Sequence, residues 1–255
     1  MHSNHKTSCL AFAVLIFAFI TTTLTTWAQM VVGSPTPLFD DRTLDGWVQR
    51  GGKAIYKVEN GCIVGISVTN AGNTFLCTTN DYADFILELD VKSDTNLNSG
   101  IQIRSHCYDQ PTTYVWNDKT NTIPPGRVHG YQIEVDNQQS RRWSGGIYDE
   151  ARRGWLSKLE TNKVAQQAFR FGEWNSYRIE CLGDSIKVWV NGVPTSDLVD
   201  KAAASGFIGL QVHGTKTPGL EVRFRNIRIQ ELSEHGNSID SDVPPDKSRP
   251  PTHGD

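Results

Sequence analysis

The sequence predicts an all-β fold, an antiparallel sandwich of two sheets within one domain. Three observations carry that prediction. Segment after segment alternates apolar and polar residues with period two, turn signals separate these segments at short intervals, and a helical period almost never persists. In residues 84–91, for example, Phe85, Leu87, Leu89 and Val91 make one face while Glu88 and Asp90 make the other. Successive side chains of a strand point to opposite sides, so this is sheet patterning.

A chain of 255 residues is long enough for one large β domain or two small ones. Between Leu38 and Leu232 there is no repeat of fixed period and no Pro- or Gly-rich linker, which favours one domain over residues 38–232. Ahead of it, His2, His5 and Lys6 precede an apolar run over residues 9–20, and Thr26-Trp27-Ala28 offers small residues where a signal peptidase reads. Residues 1–28 therefore read as an export signal, residues 29–37 as a linker, and the expected location is periplasmic or extracellular. The apolar run is too short to remain as a membrane-spanning helix. Residues 233–255 are rich in Asp, Ser, Pro and Gly with little to bury, the composition of a disordered tail.

Removing residues 1–28 takes away Lys6 and no acid, which moves the formal charge from −3 to about −4. A mildly acidic chain without a basic stripe argues against nucleic acid or anionic lipid as partner. Oligomeric state is not legible. Four cysteines remain, Cys62, Cys77, Cys107 and Cys181, in spacings that match no zinc site. Cys62, Cys77 and Cys181 stand at apolar-patterned strand positions, which suits buried thiols; if a bridge forms, Cys62 with Cys77 is the first pairing to test.

Taken in order, residues 56–59 and 62–67 flank Asn60-Gly61, a strong hairpin signal because both residues tolerate positive φ. Short strands follow at 74–78 and 84–91. Asn98-Ser99-Gly100 turns into 101–104, where Ile101 and Ile103 face one way and Gln102 and Arg104 the other. Residues 105–129 contain Pro111, Pro124 and Pro125 without a clear period and read as a covering loop. In 130–136, Tyr131, Ile133 and Val135 oppose Gln132, Glu134 and Asp136. Residues 144–148 lead to a charged surface loop, 174–182 and 185–191 form a hairpin across Gly183-Asp184, and 197–203 suggest one short helix. Residues 206–213 set Ile208, Leu210 and Val212 against Gln211 and His213, and 222–232 close the sheet.

Three strands far apart in sequence thus each carry a polar face: Gln102 and Arg104; Gln132, Glu134 and Asp136; Gln211 and His213. In one sheet these faces merge into a floor of amides and carboxylates. Such a floor satisfies hydroxyl donors and acceptors together and suits a saccharide. Tyr148 is a further hydroxyl partner, and Trp189 is a candidate stacking platform for a sugar ring. Glu134 and Asp136, two residues apart on one strand, have Cα atoms roughly 6.5 Å apart. Coupled acids at that spacing can separate into a base and an acid. His106, Asp109, His129 and His213 match no defined metal motif, so no metal ligand is assigned, although a divalent cation remains an admissible electrophile.

Taken together, Asn98-Ser99-Gly100-Ile101-Gln102-Ile103-Arg104, Gly130-Tyr131-Gln132-Ile133-Glu134-Val135-Asp136, Gly172-Glu173-Trp174-Asn175, Val190-Asn191-Gly192, Gly209-Leu210-Gln211-Val212-His213-Gly214 and Phe224-Arg225-Asn226-Ile227 resemble the 3-keto-disaccharide hydrolase family. The resemblance implies a concanavalin A-like jelly roll with its site on the concave face. It also implies cleavage of glycosides already oxidised at C3, by 1,2-elimination with hydration or by hydrolysis. The central strand departs from the usual order of that family, which places the acid at Gln132 and the amide at Glu134. A laminarinase-like acid series would continue Glu134, Asp136 with a third acid, but Gln138 stands there, which disfavours retaining hydrolysis. The resulting expectation is an enzyme in which Glu134 or Asp136 takes the C2 proton, and Arg104 and His213 stabilise the enolate or protonate the leaving group. Gln102, Gln132, Gln211 and Tyr148 then orient hydroxyls. The competing expectation is a non-catalytic carbohydrate-binding module of the same fold.

Overall fold

A computed structural model describes residues 30–32 and 34–234. The expected export signal and the tail beyond Glu234 lie outside the described residues. The chain forms a jelly-roll sandwich of two antiparallel sheets. The first sheet runs in the order β16 (Val193–Val199), β15 (Ser185–Val190), β14 (Asn175–Leu182), β7 (Phe85–Ser93), β18 (Glu221–Glu234), β5 (Cys62–Ile66) and β4 (Ile55–Glu59). The second runs β13 (Gly154–Ser157), β12 (Ile147–Glu150), β11 (His129–Val135), β8 (Ser99–His106), β17 (Gly206–Val212), β6 (Thr74–Tyr82) and β3 (Trp47–Gly51).

The period-two pattern explains the core. Phe85, Leu87, Leu89 and Val91 of β7 meet Ile101 and Ile103 of β8 and Tyr131, Ile133 and Val135 of β11, all buried between the sheets. A one-residue slip of any of these strands would carry its apolar set to the wet side, so burial itself holds the register. Truncating a fully buried side chain such as Ile133 to Ala would cost about 2–5 kcal/mol.

Several expectations are corrected. Part of the segment read as a linker is sheet: β1 (Met30–Val32) and β2 (Thr36–Pro37) pair with β18. The 14-residue β18 outruns its partner β5, which pairs only with its first four residues, and these two strands occupy the edge it would otherwise expose. The covering loop contains a hairpin, β9 (Thr112–Trp116) with β10 (Lys119–Ile123), turned by Asn117 and Asp118, both at positive φ. The expected helix at 197–203 does not form: residues 197–199 end edge strand β16, where cross-strand pairing with β15 outweighs a weak local helical preference, and 200–203 are irregular. The helix of the described residues is α1 (Lys163–Ala168), with the Ala165 amide donating to Asn162 Oδ1 at 3.0 Å. All four described cysteines are free thiols; Cys62 and Cys77 stand on different sheets and form no bridge.

Candidate active site

Strands β11, β8 and β17 are neighbours in the second sheet, so the polar faces read from the sequence do merge. Register sets Gln132 opposite both Gln102 and Tyr148, Glu134 opposite Gly100, and Gly209 opposite Gln102. Gly100 is required there: a Cβ would lie 2.5 Å from the Gln132 carboxamide carbon, so only glycine lets that side chain cross β8. The amides lock one another. Gln102 Nε2 donates to Gln132 Oε1 at 2.9 Å and Gln211 Nε2 donates to the same oxygen at 2.8 Å. With its oxygen doubly occupied, Gln132 turns its Nε2 to Glu134 Oε2 at 3.1 Å.

Glu134 is the chemically distinctive group of this floor. Its other oxygen, Oε1, accepts from Asn98 Nδ2 at 2.6 Å and from Arg141 Nη2 at 3.3 Å. Burial pushes its carboxyl up to about 7, reinforced by the nearby Asp136 charge and opposed by the Asn98 hydrogen bond and the Arg141 charge. It lines a cavity of about 570 Å³ together with Gln132, Asn98, Arg141, Tyr148, Trp155 and His213. A carboxyl that exchanges its proton near neutrality, facing an open cavity, is equipped for general base chemistry.

The second acid of the strand has a different occupation. Asp136 is buried and does not line the cavity. Its oxygens accept from Arg141 Nε at 2.9 Å and Nη2 at 2.8 Å, and from the backbone amides of Gln138 and Trp143. It organises the 137–143 loop and the arginine within it. Arg141 lies 5.1 Å from the ring centres of both Trp143 and Trp155, and the Tyr148 and Trp155 rings meet edge to face at 5.3 Å. These rings form an aromatic wall beside the polar floor. Burial raises the Tyr148 hydroxyl above its ordinary value, so it stays protonated. Next to Tyr148 on β12, Glu150 accepts from Arg127 Nη2 at 2.6 Å and Asn73 Nδ2 at 3.2 Å.

Gln102, Gln132, Glu134, Gln211, Tyr148 and His213 are therefore brought together, although Gln102 and Gln211 support the floor from beneath rather than line it. His213 is exposed at the rim, with Nδ1 2.8 Å from the Gly214 carbonyl. A carbonyl only accepts, so Nδ1 carries the proton and Nε2 is free.

Two expected residues lie elsewhere. Between Ile103 and His106, β8 holds one residue more than β11 does opposite it, a bulge at which Arg104 takes φ +44. That extra residue puts Ser105 on the face of Gln102, to whose Oε1 its hydroxyl donates at 2.7 Å. Arg104 points away from the floor. Its guanidinium donates to the Ala83 and Gly183 carbonyls and to Asp84 Oδ1 at 2.7, 2.6 and 2.7 Å, which ties β8 to the β6–β7 connection between the sheets and to the β14–β15 turn of the first. Trp189 lies on the outer face of the first sheet against Arg178, far from the floor in the topology.

Sequence reasoning passed over Asn98, Arg141 and Trp155. Asn98 sat in a motif already quoted; Arg141 lies in a loop without period, and Trp155, expected in a charged surface loop, stands on the short strand β13 opposite Tyr148, so only the fold shows what they reach. Among the described residues no group of three or more His, Cys, Asp or Glu side chains is placed to hold a metal ion. His106 and His129 pack with Tyr108 in a ring cluster outside the cavity lining.

The family profile of the 3-keto-alpha-glucoside-1,2-lyase-like domain matches residues 34–230. The chain belongs to this family. Within the 3-keto-alpha-glucoside-1,2-lyase-like family the match spans both sheets and the whole cavity floor. No curated protein matches the chain. Among solved structures, a Bacillus subtilis protein of unknown function with a galectin-like fold aligns with a TM-score of 0.56 at 10% identity, over 82% of this chain and 100% of that one. That likeness shows the fold. The carbohydrate-binding module CBM66 from Bacillus subtilis aligns with a TM-score of 0.48 at 13% identity, over 73% of this chain and 96% of that one. Porphyranase B from Zobellia galactanivorans aligns with a TM-score of 0.48 at 12% identity, over 75% of this chain and 88% of that one.

Proposed function

We propose that this protein is an exported enzyme that cleaves glycosides bearing a ketone at C3, by elimination across C1 and C2. The observation that carries the reading is Glu134, a buried carboxyl whose proton exchanges at about 7 and which faces the cavity. A ketone at C3 acidifies the C2 hydrogen. Glu134 takes that proton, and the C–H electron pair moves into the C2–C3 bond as an enolate. When the enolate collapses, the ketone re-forms, a C1–C2 double bond appears and the C1–oxygen bond breaks. His213, at the rim of the cavity, is the group that protonates the departing oxygen. Addition of water to the resulting 2-hydroxy-3-keto-glycal completes a net hydrolysis. Tyr148 and Trp155 form the wall against which the ring lies, and Gln132 offers its amide edge from the floor.

This chemistry needs one base near neutrality, whereas retaining hydrolysis needs two carboxyl groups flanking the anomeric carbon. Asp136 does not reach the cavity, and the other carboxylate that lines it, Glu150, is engaged by Arg127 and Asn73, which leaves Glu134 as the base and favours elimination. Incubation of methyl 3-keto-α-glucopyranoside with the protein in heavy water, followed by NMR, tests the reading. Wild type should release methanol and lose or exchange the C2 hydrogen, while Glu134→Gln binds the sugar without either change. Methanol release with the C2 hydrogen fully retained would exclude elimination. Sugar binding without turnover in wild type would leave a carbohydrate-binding module instead.

A further inference from the structure

We infer that Arg141 is the oxyanion-binding residue of this site, the group that receives the charge expelled onto O3, and that Asp136 is the positioning residue that aims it. The inference rests on the proposed elimination and adds the residue on which its transition state depends.

The geometry of the guanidinium leads to it. Arg141 Nε and Nη2 form a fork onto the two oxygens of Asp136, and Nη2 also reaches Glu134 Oε1 at 3.3 Å. It packs against the Trp143 and Trp155 rings, 5.1 Å from each centre, and those two rings meet edge to face at 4.8 Å. Asp136 is itself fixed by the amides of Gln138 and Trp143, and its own amide takes the Ser144 hydroxyl as acceptor at 2.9 Å. The cation is thus placed before any substrate arrives, which lets a fixed charge stabilise a transition state without reorganisation. Among the described residues its remaining nitrogen, Nη1, has no hydrogen-bond partner, while the side chain is about one quarter exposed and lines the cavity.

Charge balance makes the choice specific. In the resting site Arg141 faces two carboxylates, Glu134 and Asp136. When Glu134 accepts the C2 proton it becomes neutral, and the electron pair left behind appears on O3, one carbon away. The Nη2 contact to Glu134 weakens as the new anion forms beside it. Arg141 therefore binds the enolate more strongly than the ketone, and only such a differential contact accelerates a reaction. The other arginine of the cavity, Arg127, pairs with Glu150, which the proposed reaction leaves charged. Arg104, the cation expected from the sequence, is fully buried away from the floor.

Two measurements test the assignment on the full-length protein. With methyl 3-keto-α-glucopyranoside, Arg141→Met should lower kcat by about 10²–10³-fold, the effect of removing one oxyanion donor, with KM changed less than about threefold. Arg141→Lys should recover part of kcat, because charge survives but the fork onto Asp136 does not. Asp136→Asn should lower kcat in the same direction while the protein remains folded by thermal melting. Ascorbate, an anionic cyclic enediolate, serves as a probe that needs no turnover. Its affinity, read from tryptophan fluorescence, should fall more than tenfold in Arg141→Met and Arg141→Lys should retain part of it, while affinity for neutral methyl α-glucopyranoside holds within twofold. If wild type turns over the substrate and Arg141→Met does so equally well, or loses only KM, the assignment is wrong and the role of Glu134 stands. If wild type shows no turnover, the enzymatic reading fails, and equal loss of ascorbate and glucoside affinity would then reject Arg141 as an anion-binding group as well.

Discussion

The outer faces of the two sheets are written in the same binary pattern and behave in opposite ways. On the first sheet Arg178 pairs with Glu88 at 2.8 Å and Arg225 with Asp90 at 3.2 Å, with all four side chains between about a quarter and a half exposed. Pairs so well solvated contribute about 0–1 kcal/mol. On the second sheet Glu134 and Asp136 retain 5% and 0% of their side-chain exposure. The alternation of residue types is equivalent; the difference is the cover. The 137–143 loop with Arg141 and Trp143, the aromatic residues Tyr148 and Trp155, and Arg127 close over the second sheet, while among the described residues nothing comparable covers β14 and β15. Desolvation turns a strand acid into a base that works near neutrality, and a matching acid in the open is only a surface charge.

The sharpest way to break this comparison is to neutralise the covered acid. Glu134→Gln should lower kcat/KM for a 3-keto glucoside by about 10²–10⁴-fold, the usual contribution of general base catalysis. An unchanged rate would mean that the covered face is no more reactive than the open one.

Stability against pH sharpens the same point. The Glu134 carboxyl is raised from 4.5 to about 7 in the folded protein. Between those values the folded state holds a proton that the unfolded chain has lost, so stability falls as pH rises through this window. The full loss is about 3 kcal/mol. Glu134→Gln should accordingly be more stable than wild type at pH 8, with the gap closing toward pH 4.5; thermal melts at both pH values check it. The same group predicts kcat/KM rising with pH through a midpoint near 7.

Arg104 separates burial from function. Arg104→Met should lower stability by about 3 kcal/mol, the cost of breaking a buried pair, as measured by urea denaturation. The folded fraction should turn over substrate within about threefold of wild type. A large loss of kcat at unchanged stability would return Arg104 to the site. The smallest effect is expected on the open face: Trp189→Ala should leave kcat and KM for the methyl glycoside within about twofold, and a larger change would show that the first sheet takes part in the reaction.

What the sequence by itself determined is the part governed by local alternation. The period-two faces of 84–91, 101–103, 130–136 and 206–213 specified an antiparallel sandwich and named Gln102, Gln132, Glu134, Gln211 and His213 as one polar surface, because side-chain direction in a regular strand follows from position alone. Arg104 escaped that logic because a single inserted residue on β8 reverses the facing of everything after it, and a bulge depends on the register of both neighbouring strands. Arg141 escaped it because an aperiodic loop carries no direction, and Trp155 because the short strand β13, read from the sequence as part of a charged surface loop, shows no alternation of its own. Only the tertiary structure decided which strand acid opens onto the cavity and which is spent on an arginine, since desolvation and charge pairing depend on neighbours that the chain brings from up to 141 residues away, the separation between the hydrogen-bonded Asn73 and Gly214 of the cavity lining.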